Sequence, residues 1–477
     1  MLFSSMLFIW IFLPIVLLGN FILGRLPLKY KQRIKLKNRF LLVASLVFYA
    51  WGGLYYLALM LAVIAINFFG GLWLNEIRVK RSKAWALVLI IATNLGLLFY
   101  FKYFNLVIST IEAIRKMESG GLGLKEVVLP IGISFYIFQA MSYVIDLNLN
   151  KTKVQRNIFD FGLYVALFPQ LIAGPIVQYK DIEIQLYRRK GSPEMVAEGI
   201  KRFCYGLAKK VIIANVLGET VDRIWESNLT RIGAGTAVLA TVAYTLQIYY
   251  DFSGYSDMAI GLGKMLGFSF KENFNLPYLS SSIREFWRRW HISLSSWFKE
   301  YVYIPLGGSR AGKGRTYLNL FIVFLLTGIW HGANYTFFFW GMYYALFIIL
   351  ERAFYAGFLE KHKWFGHIYA ILVVSFGWIF FRAGSFVDAL TFIGGFVRFR
   401  ADTYSYLQFV SLKTFLALIL GILFCGPVQM WTSKIYAKVK ENAFIRLGDV
   451  LAQMALLLVC ICWLTKGTYN PFIYFQF

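Results

Sequence analysis

Two histidines stand where an imidazole has chemistry to do. His331 lies in GIWHGANYTFFFWG (328–341), an otherwise apolar aromatic stretch, and His291 lies in WRRWHIS (287–293). A neutral imidazole takes a proton from a hydroxyl near neutral pH. An ionisable side chain inside an apolar, membrane-embedded stretch marks a functional site by default, because it is costly to keep there without a task. Gly328 and Gly332 are expected to leave room for a ligand, and Trp330 and Trp340 to wall a pocket. The competing roles are a structural buried histidine for His331 and a hydrogen-bonded interfacial residue for His291.

The segment that must position His291 is SSSIREFWRRWHISLSSWFKEYVYIPLGGSR (280–310). At 100° per residue, Phe286, Trp287, Trp290, Leu294, Trp297, Phe298 and Tyr301 fall within an arc of about 120°, while Arg284, Glu285, Arg288, Arg289 and Lys299 fall outside it. This pattern predicts an amphipathic helix, interfacial or re-entrant, with His291 at the border of the apolar arc and Trp287 and Trp290 as pocket candidates. The following PLGGSRAGKGR departs from a nucleotide-binding loop at Gly314, and no strand is expected before it, so ATP hydrolysis is not expected. Arg310, Lys313 and Arg315 with the glycine amides remain candidates to hold the phosphates of a carrier such as coenzyme A or phosphopantetheine. A plain basic turn is the alternative.

Composition defines the class. The 477 residues are 59% hydrophobic, 19% aromatic and 15% charged, with a mean hydropathy of +0.60. Apolar stretches recur at about 1–24, 40–75, 84–104, 126–147, 158–178, 203–221, 234–254, 316–350, 367–383, 406–430 and 447–465, which predicts an all-α polytopic membrane protein of about 11–13 transmembrane helices. Residues 1–24 are expected to be an anchor with its N-terminus outside. The basic clusters at 25–39, 78–83 and 151–156 are expected in short cytoplasmic loops. The net charge of +25 is thus assigned to orientation and anionic lipid, not to nucleic acid. Cys204, Cys425, Cys460 and Cys462 show no metal-ligand spacing and are expected to be small core residues; no metal is expected. One membrane domain is expected over 1–477, with a cytoplasmic-side amphipathic segment at 264–315 and an aromatic tail at 467–477.

REFWRRWHISLSSWFKEYVYIPLGGSR followed by LNLFIVFLLTGIWHGANYTFFFWG resembles the bacterial, alginate O-acetyltransferase-like branch of the membrane-bound O-acyltransferase family, MBOAT. PIGISFYIFQAMSYVIDL (130–147), FPQLIAGPIVQY (168–179), YYDFSGYSDMAIGLG (249–263) and FGWIFFRA (376–383) are similar to further blocks of that family. The resemblance implies that His331 is the catalytic histidine and His291 the second functional one. It implies no permanently bound cofactor, an acetyl-CoA or acyl-carrier thioester as donor, and a donor engaged from the cytoplasm with an acceptor reached from outside. A thioester is already activated, so the enzyme has to activate a hydroxyl, stabilise an oxyanion and exclude water. His331 is assigned as general base, with His291 and Asn334 positioning the acyl group or polarising its carbonyl.

The tail 472–477, FIYFQF, resembles the terminal aromatic motif of envelope acyl-transfer systems of this kind, which implies Tyr474 as an acyl carrier; an aromatic belt at the interface is the alternative. The branch further implies a bacterial plasma-membrane location, a cell-envelope polysaccharide acceptor and a separate extracytoplasmic SGNH- or GDSL-like transferase partner. Alternatives are D-alanyl or other acyl transfer to a wall polymer or lipid. A polysaccharide or lipid-linked sugar transporter, with Asp251 and Asp257 as coupling acids, is the alternative of a different class.

Overall fold

The computed structural model describes residues 1–473 apart from 119, 173, 190, 311, 401, 402, 440 and 468. The described residues form helices and connecting turns, with one isolated β-bridge between Ile232 and Tyr404. In chain order the α-helices are α1 Leu13–Arg25, α2 Tyr30–Ala50, α3 Leu54–Glu76, α4 Lys80–Ile114, α5 Ile133–Asn148, α6 Ile158–Ala166, α7 Phe168–Leu171, α8 Tyr179–Tyr187, α9 Pro193–Ala208, α10 Asn215–Trp225 and α11 Ala234–Met265. They continue as α12 Ile283–Arg289, α13 Ile292–Phe298, α14 Lys313–His331, α15 Tyr335–Leu350, α16 Ala356–Lys361, α17 Lys363–Arg382, α18 Phe386–Gly394, α19 Leu412–Phe424, α20 Pro427–Val439 and α21 Ala443–Lys466. The chain divides into a first unit, Met1–Ile200 with Ala259–Lys271, and a second, Lys201–Met258 with Glu272–Phe477.

Six helical spans among the described residues are long and apolar enough to cross a membrane: Phe8–Arg25, Leu54–Glu76, Lys80–Ile114, Tyr335–Lys361, Lys363–Arg382 and Ala443–Lys466. The pair α19 and α20, bent by 63° at Pro427, makes a seventh if taken as one span. This is fewer than the crossings the apolar stretches suggest, because several of those stretches fold as shorter, buried helices. In the first unit, Pro130 and the left-handed Gly132 delay α5 to Ile133, leaving 16 residues that are buried almost throughout. The stretch 158–178 breaks at Leu167 into α6 and α7. Hydropathy does not distinguish a lipid-facing span from a helix buried in protein.

A second difference concerns the first basic cluster. Lys31, Arg33, Lys35, Lys37 and Arg39 are the leading half of α2, not a loop, since Lys and Arg are good helix formers where their heads reach water. Within this unit α3 and α4 are joined by a reciprocal amide pair, Asn67 with Asn94, at 2.8 and 3.1 Å. That pair satisfies two buried polar groups inside apolar helices.

The second unit holds both histidines. Its central feature is the α14–α15 hairpin, which turns over Gly332, Ala333 and Asn334. A Cβ on Gly328 would collide with the Phe337 carbonyl oxygen, and one on Gly341 with that of Phe324. Glycine at both positions therefore lets the two backbones approach closely.

Candidate functional site

The expected continuous helix around His291 is broken. α12 stops at Arg289, His291 adopts the left-handed conformation (φ 42°, ψ 55°), and α13 starts afresh at Ile292. A left-handed backbone is unfavourable for a non-glycine residue and is kept only where the surroundings enforce it. Asn273 enforces it: its carbonyl oxygen accepts from the Ile292 amide at 2.9 Å, and its side-chain Oδ1 accepts from the Ser293 amide at 3.1 Å and from Ser293 Oγ at 2.9 Å.

The same Oδ1 lies 3.2 Å from His291 Nδ1. Because the Ser293 amide can only donate, Oδ1 is an acceptor, so Nδ1 carries the proton and Nε2 presents a lone pair. His291 is fully buried, and burial pulls its imidazole down to about 3, keeping it neutral.

His331 is the last residue of α14 and is 4% exposed. Trp330 packs on both histidines, its ring centroid 5.9 Å from His291 and 5.0 Å from His331. Trp340 and Phe381 close on His331 edge-to-face at 4.9 and 5.1 Å, and Phe252 does the same to His291 at 4.6 Å. The space expected beside Gly332 is filled by Phe337, whose ring a Cβ there would strike. Glycine at 328 and 332 therefore serves packing in this structure.

Trp287 and Trp290 belong to the same aromatic assembly. Trp287 packs on Phe324, Trp340 and Tyr344 at 5.5, 5.6 and 5.0 Å, and Trp290 packs on Trp378 at 5.0 Å. Asn334 lies apart from this role: its Oδ1 caps α15 at the Thr336 amide (3.1 Å) and its Nδ2 donates to the Gly384 carbonyl (2.7 Å). It thereby fixes the turn that follows His331.

Arg310, Lys313 and Arg315 are exposed, at or just before the start of α14. The helical rise of 1.5 Å per residue separates Lys313 from His331 by about 27 Å. A groove of ≈ 220 Å³ lies nearer. Leu320, Val323, Phe324 and Thr327 of α14 line it, with Trp287 opposite and Arg284, Arg288 and Lys299 among its cationic side chains. Thr327 precedes His331 by one helical turn on the same face of α14. These cations were visible in the sequence as the polar arc of the amphipathic pattern, but nothing there placed them beside an apolar groove.

Two further residues escaped the sequence reading. Asn273 carries no motif. Glu351, 3% exposed, reaches from the end of α15 to accept the Ile283 and Arg284 amides at 2.5 and 3.0 Å, capping α12. Asp251 and Asp257, the coupling acids of the transporter alternative, are held in ion pairs with Lys210 (2.5 Å) and with Arg202 and Lys209 (2.7 Å each). Tyr474 lies outside the described residues; the chain is described to Ile473. Cys204 and Cys460 are buried as expected, whereas Cys462 is exposed on α21.

The pattern of the MBOAT, membrane-bound O-acyltransferase family, matches residues 147–387. The chain is 40% identical to the probable alginate O-acetylase AlgI of Pseudomonas putida, over 100% of both chains. It is 43% identical to the protein of the same name in Pseudomonas aeruginosa, over 80% of this chain and 72% of that one. It is 34% identical to the peptidoglycan O-acetyltransferase of Helicobacter pylori, over 86% of this chain and 82% of that one. With its apolar spans and two histidines gathered around Trp330, the chain belongs to the membrane-bound O-acyltransferase family and is a multi-pass membrane acyltransferase.

Proposed function

We propose that this acyltransferase moves an acetyl group from a cytoplasmic thioester, acetyl-CoA or an acyl-carrier protein, across the membrane for O-acetylation of an extracytoplasmic cell-envelope polysaccharide. The observation that carries this reading is the pair of buried histidines whose rings both pack on Trp330, in the same unit as an apolar groove lined by Arg284, Arg288 and Lys299. The names of the relatives, which act on alginate and peptidoglycan, support a polymer acceptor.

His331 acts as general base. It removes the proton of the attacking hydroxyl as the oxygen bonds to the acyl carbon, the C–S bond breaks, and the departing thiolate takes the proton from the imidazolium. His291, neutral and with Nε2 bearing the lone pair, accepts from the attacking hydroxyl and positions it against the acyl group. Arg284, Arg288 and Lys299 suit the phosphates of coenzyme A or phosphopantetheine, with the apolar arm along α14; Arg310, Lys313 and Arg315 supply a more distant basic surface. Tyr474 receives the acyl group and passes it to an SGNH- or GDSL-like partner that completes transfer to the polymer.

The test is the O-acetyl content of envelope polysaccharide in a deletion strain complemented with wild type, His331→Ala or His291→Ala at matched membrane levels. His331→Ala is expected to lower the ester at least a hundredfold. Full acetylation with that variant overturns the assignment of the base.

A further inference from the structure

One buried ion pair in the second unit has no part in the chemistry above. Lys210 belongs to the π-helical turn Lys209–Ala214 that continues α9, a local widening often found at functional sites. Its ammonium meets Asp251 of α11 at 2.5 Å, with the two side chains 3% and 2% exposed. Burying such a pair is unfavourable unless its remaining hydrogen-bonding capacity is filled.

Residues 469–473 fill it. Lys210 Nζ donates to the Pro471 carbonyl, and the Ile473 amide donates to Asp251 Oδ2 at 2.9 Å. Asn215 Nδ2 donates to Asn470 Oδ1 at 3.2 Å, and Phe472, 2% exposed, stacks on Tyr255 at 4.4 Å. At the other end, the Tyr469 hydroxyl donates to Asp222 Oδ2 at 2.5 Å, while Asp222 Oδ1 accepts from Arg382 at 2.7 Å.

Each anchor includes a chain neighbour of a ring that packs on a histidine. Asp251 precedes Phe252, whose ring packs on His291, and Arg382 follows Phe381, whose ring packs on His331. Five residues thus tie the α11 side of the site to the α17 side.

We propose that residues 469–473 are a strap that completes the histidine site, with Lys210, Asp251 and Asp222 as its positioning residues. The strap holds Phe252 and Phe381 in register on the two imidazoles and fixes the chain as far as the residue before Tyr474. Its role in turnover rests on the reading of His331 and His291 given above.

The experiment pairs hydrogen exchange of the full chain in lipid nanodiscs with polysaccharide ester content in cells. In wild type the amides of 470–473 are expected to be protected. Lys210→Met and Asp251→Asn are expected to speed their exchange at least tenfold and to lower ester content at least tenfold, while α14 and α15 keep their protection. Lys210→Arg, which keeps the cation, is expected to restore both readouts to within threefold of wild type. Tyr469→Phe, which leaves the buried ion pair intact and so guards against general misfolding, is expected to move both in the same direction by a smaller factor. Rapid exchange of 470–473 in wild type, normal ester content with a released strap, or loss of α14–α15 protection in every variant overturns the proposal. His331→Ala separates the two readings: it is expected to abolish the ester while the strap stays protected, and ester persisting in that variant defeats the catalytic assignment and leaves the exchange result to judge the strap.

Discussion

At the scale of single residues, the most consequential arrangement is the grip of Asn273 on His291. One carboxamide oxygen and one backbone carbonyl hold a left-handed histidine, fix its tautomer and break the helix that the hydrophobic period predicted. The lowered pKa has a thermodynamic consequence. Between about 3 in the folded protein and about 6.5 in the unfolded chain, the unfolded state binds one proton more, so stability rises with pH across that window. The contribution is intact above the upper limit and is lost as pH falls toward the lower one, at up to about 1.4 kcal/mol per pH unit. Thermal unfolding in detergent from pH 7 to pH 4 is expected to be less pH-dependent in His291→Gln than in wild type. Equal slopes would show that His291 is not buried neutral. His331 and His291 were legible in the sequence because an imidazole in an apolar stretch is conspicuous; Asn273 was not, because an asparagine in a loop is ordinary until its partners are known.

At the scale of elements, α12 depends on a cap delivered from a distant part of the chain. Ser282 accepts from the Glu285 amide at 3.0 Å, and Glu351 takes the Ile283 and Arg284 amides. An N-terminus buried without partners costs about 1–3 kcal/mol per unsatisfied group. Glu351→Ala is therefore expected to lower stability by about 2 kcal/mol and to reduce ester content through displacement of Trp287 and Arg288. The thermal midpoint of the purified variant measures the first effect; a midpoint equal to wild type would mean that water replaces the cap. Amphipathic periodicity identified the correct faces of this segment, since Phe286, Trp287, Trp290 and Trp297 are all buried. It missed the break at His291 because side-chain pattern carries no information on a backbone turn imposed by hydrogen bonds from elsewhere.

At the scale of the molecule, the surface of the spans is apolar in the manner of a lipid-solvated protein. Leu447, Val450, Leu451, Met454 and Leu458 of α21 are exposed, and the most apolar window of that helix is only 6% buried. With so few protein contacts, α21 is expected to be held by bilayer insertion. Placing a carboxylate at mid-helix costs about 3 kcal/mol on insertion scales, so Met454→Asp is expected to lower the membrane-integrated fraction several-fold. Alkaline extraction of membranes measures this, and undiminished integration would mean that a partner covers α21.

The sequence by itself determined the class, an all-α membrane protein, because apolar length and composition dictate solvation in lipid. It also determined the family, because that rests on residue types in a fixed local order, and it singled out His331 and His291 as candidates. Tertiary structure decided which apolar stretches are long spans and which are short buried helices, since burial depends on neighbours and not on hydropathy. It also decided that Trp330 packs on both histidines, that Asn334 is a cap, and that Lys210, Asp222 and Asp251 hold the segment 469–473. Those pairings join residues far apart in the chain, and only the folded backbone brings their charges and hydrogen-bonding groups within reach.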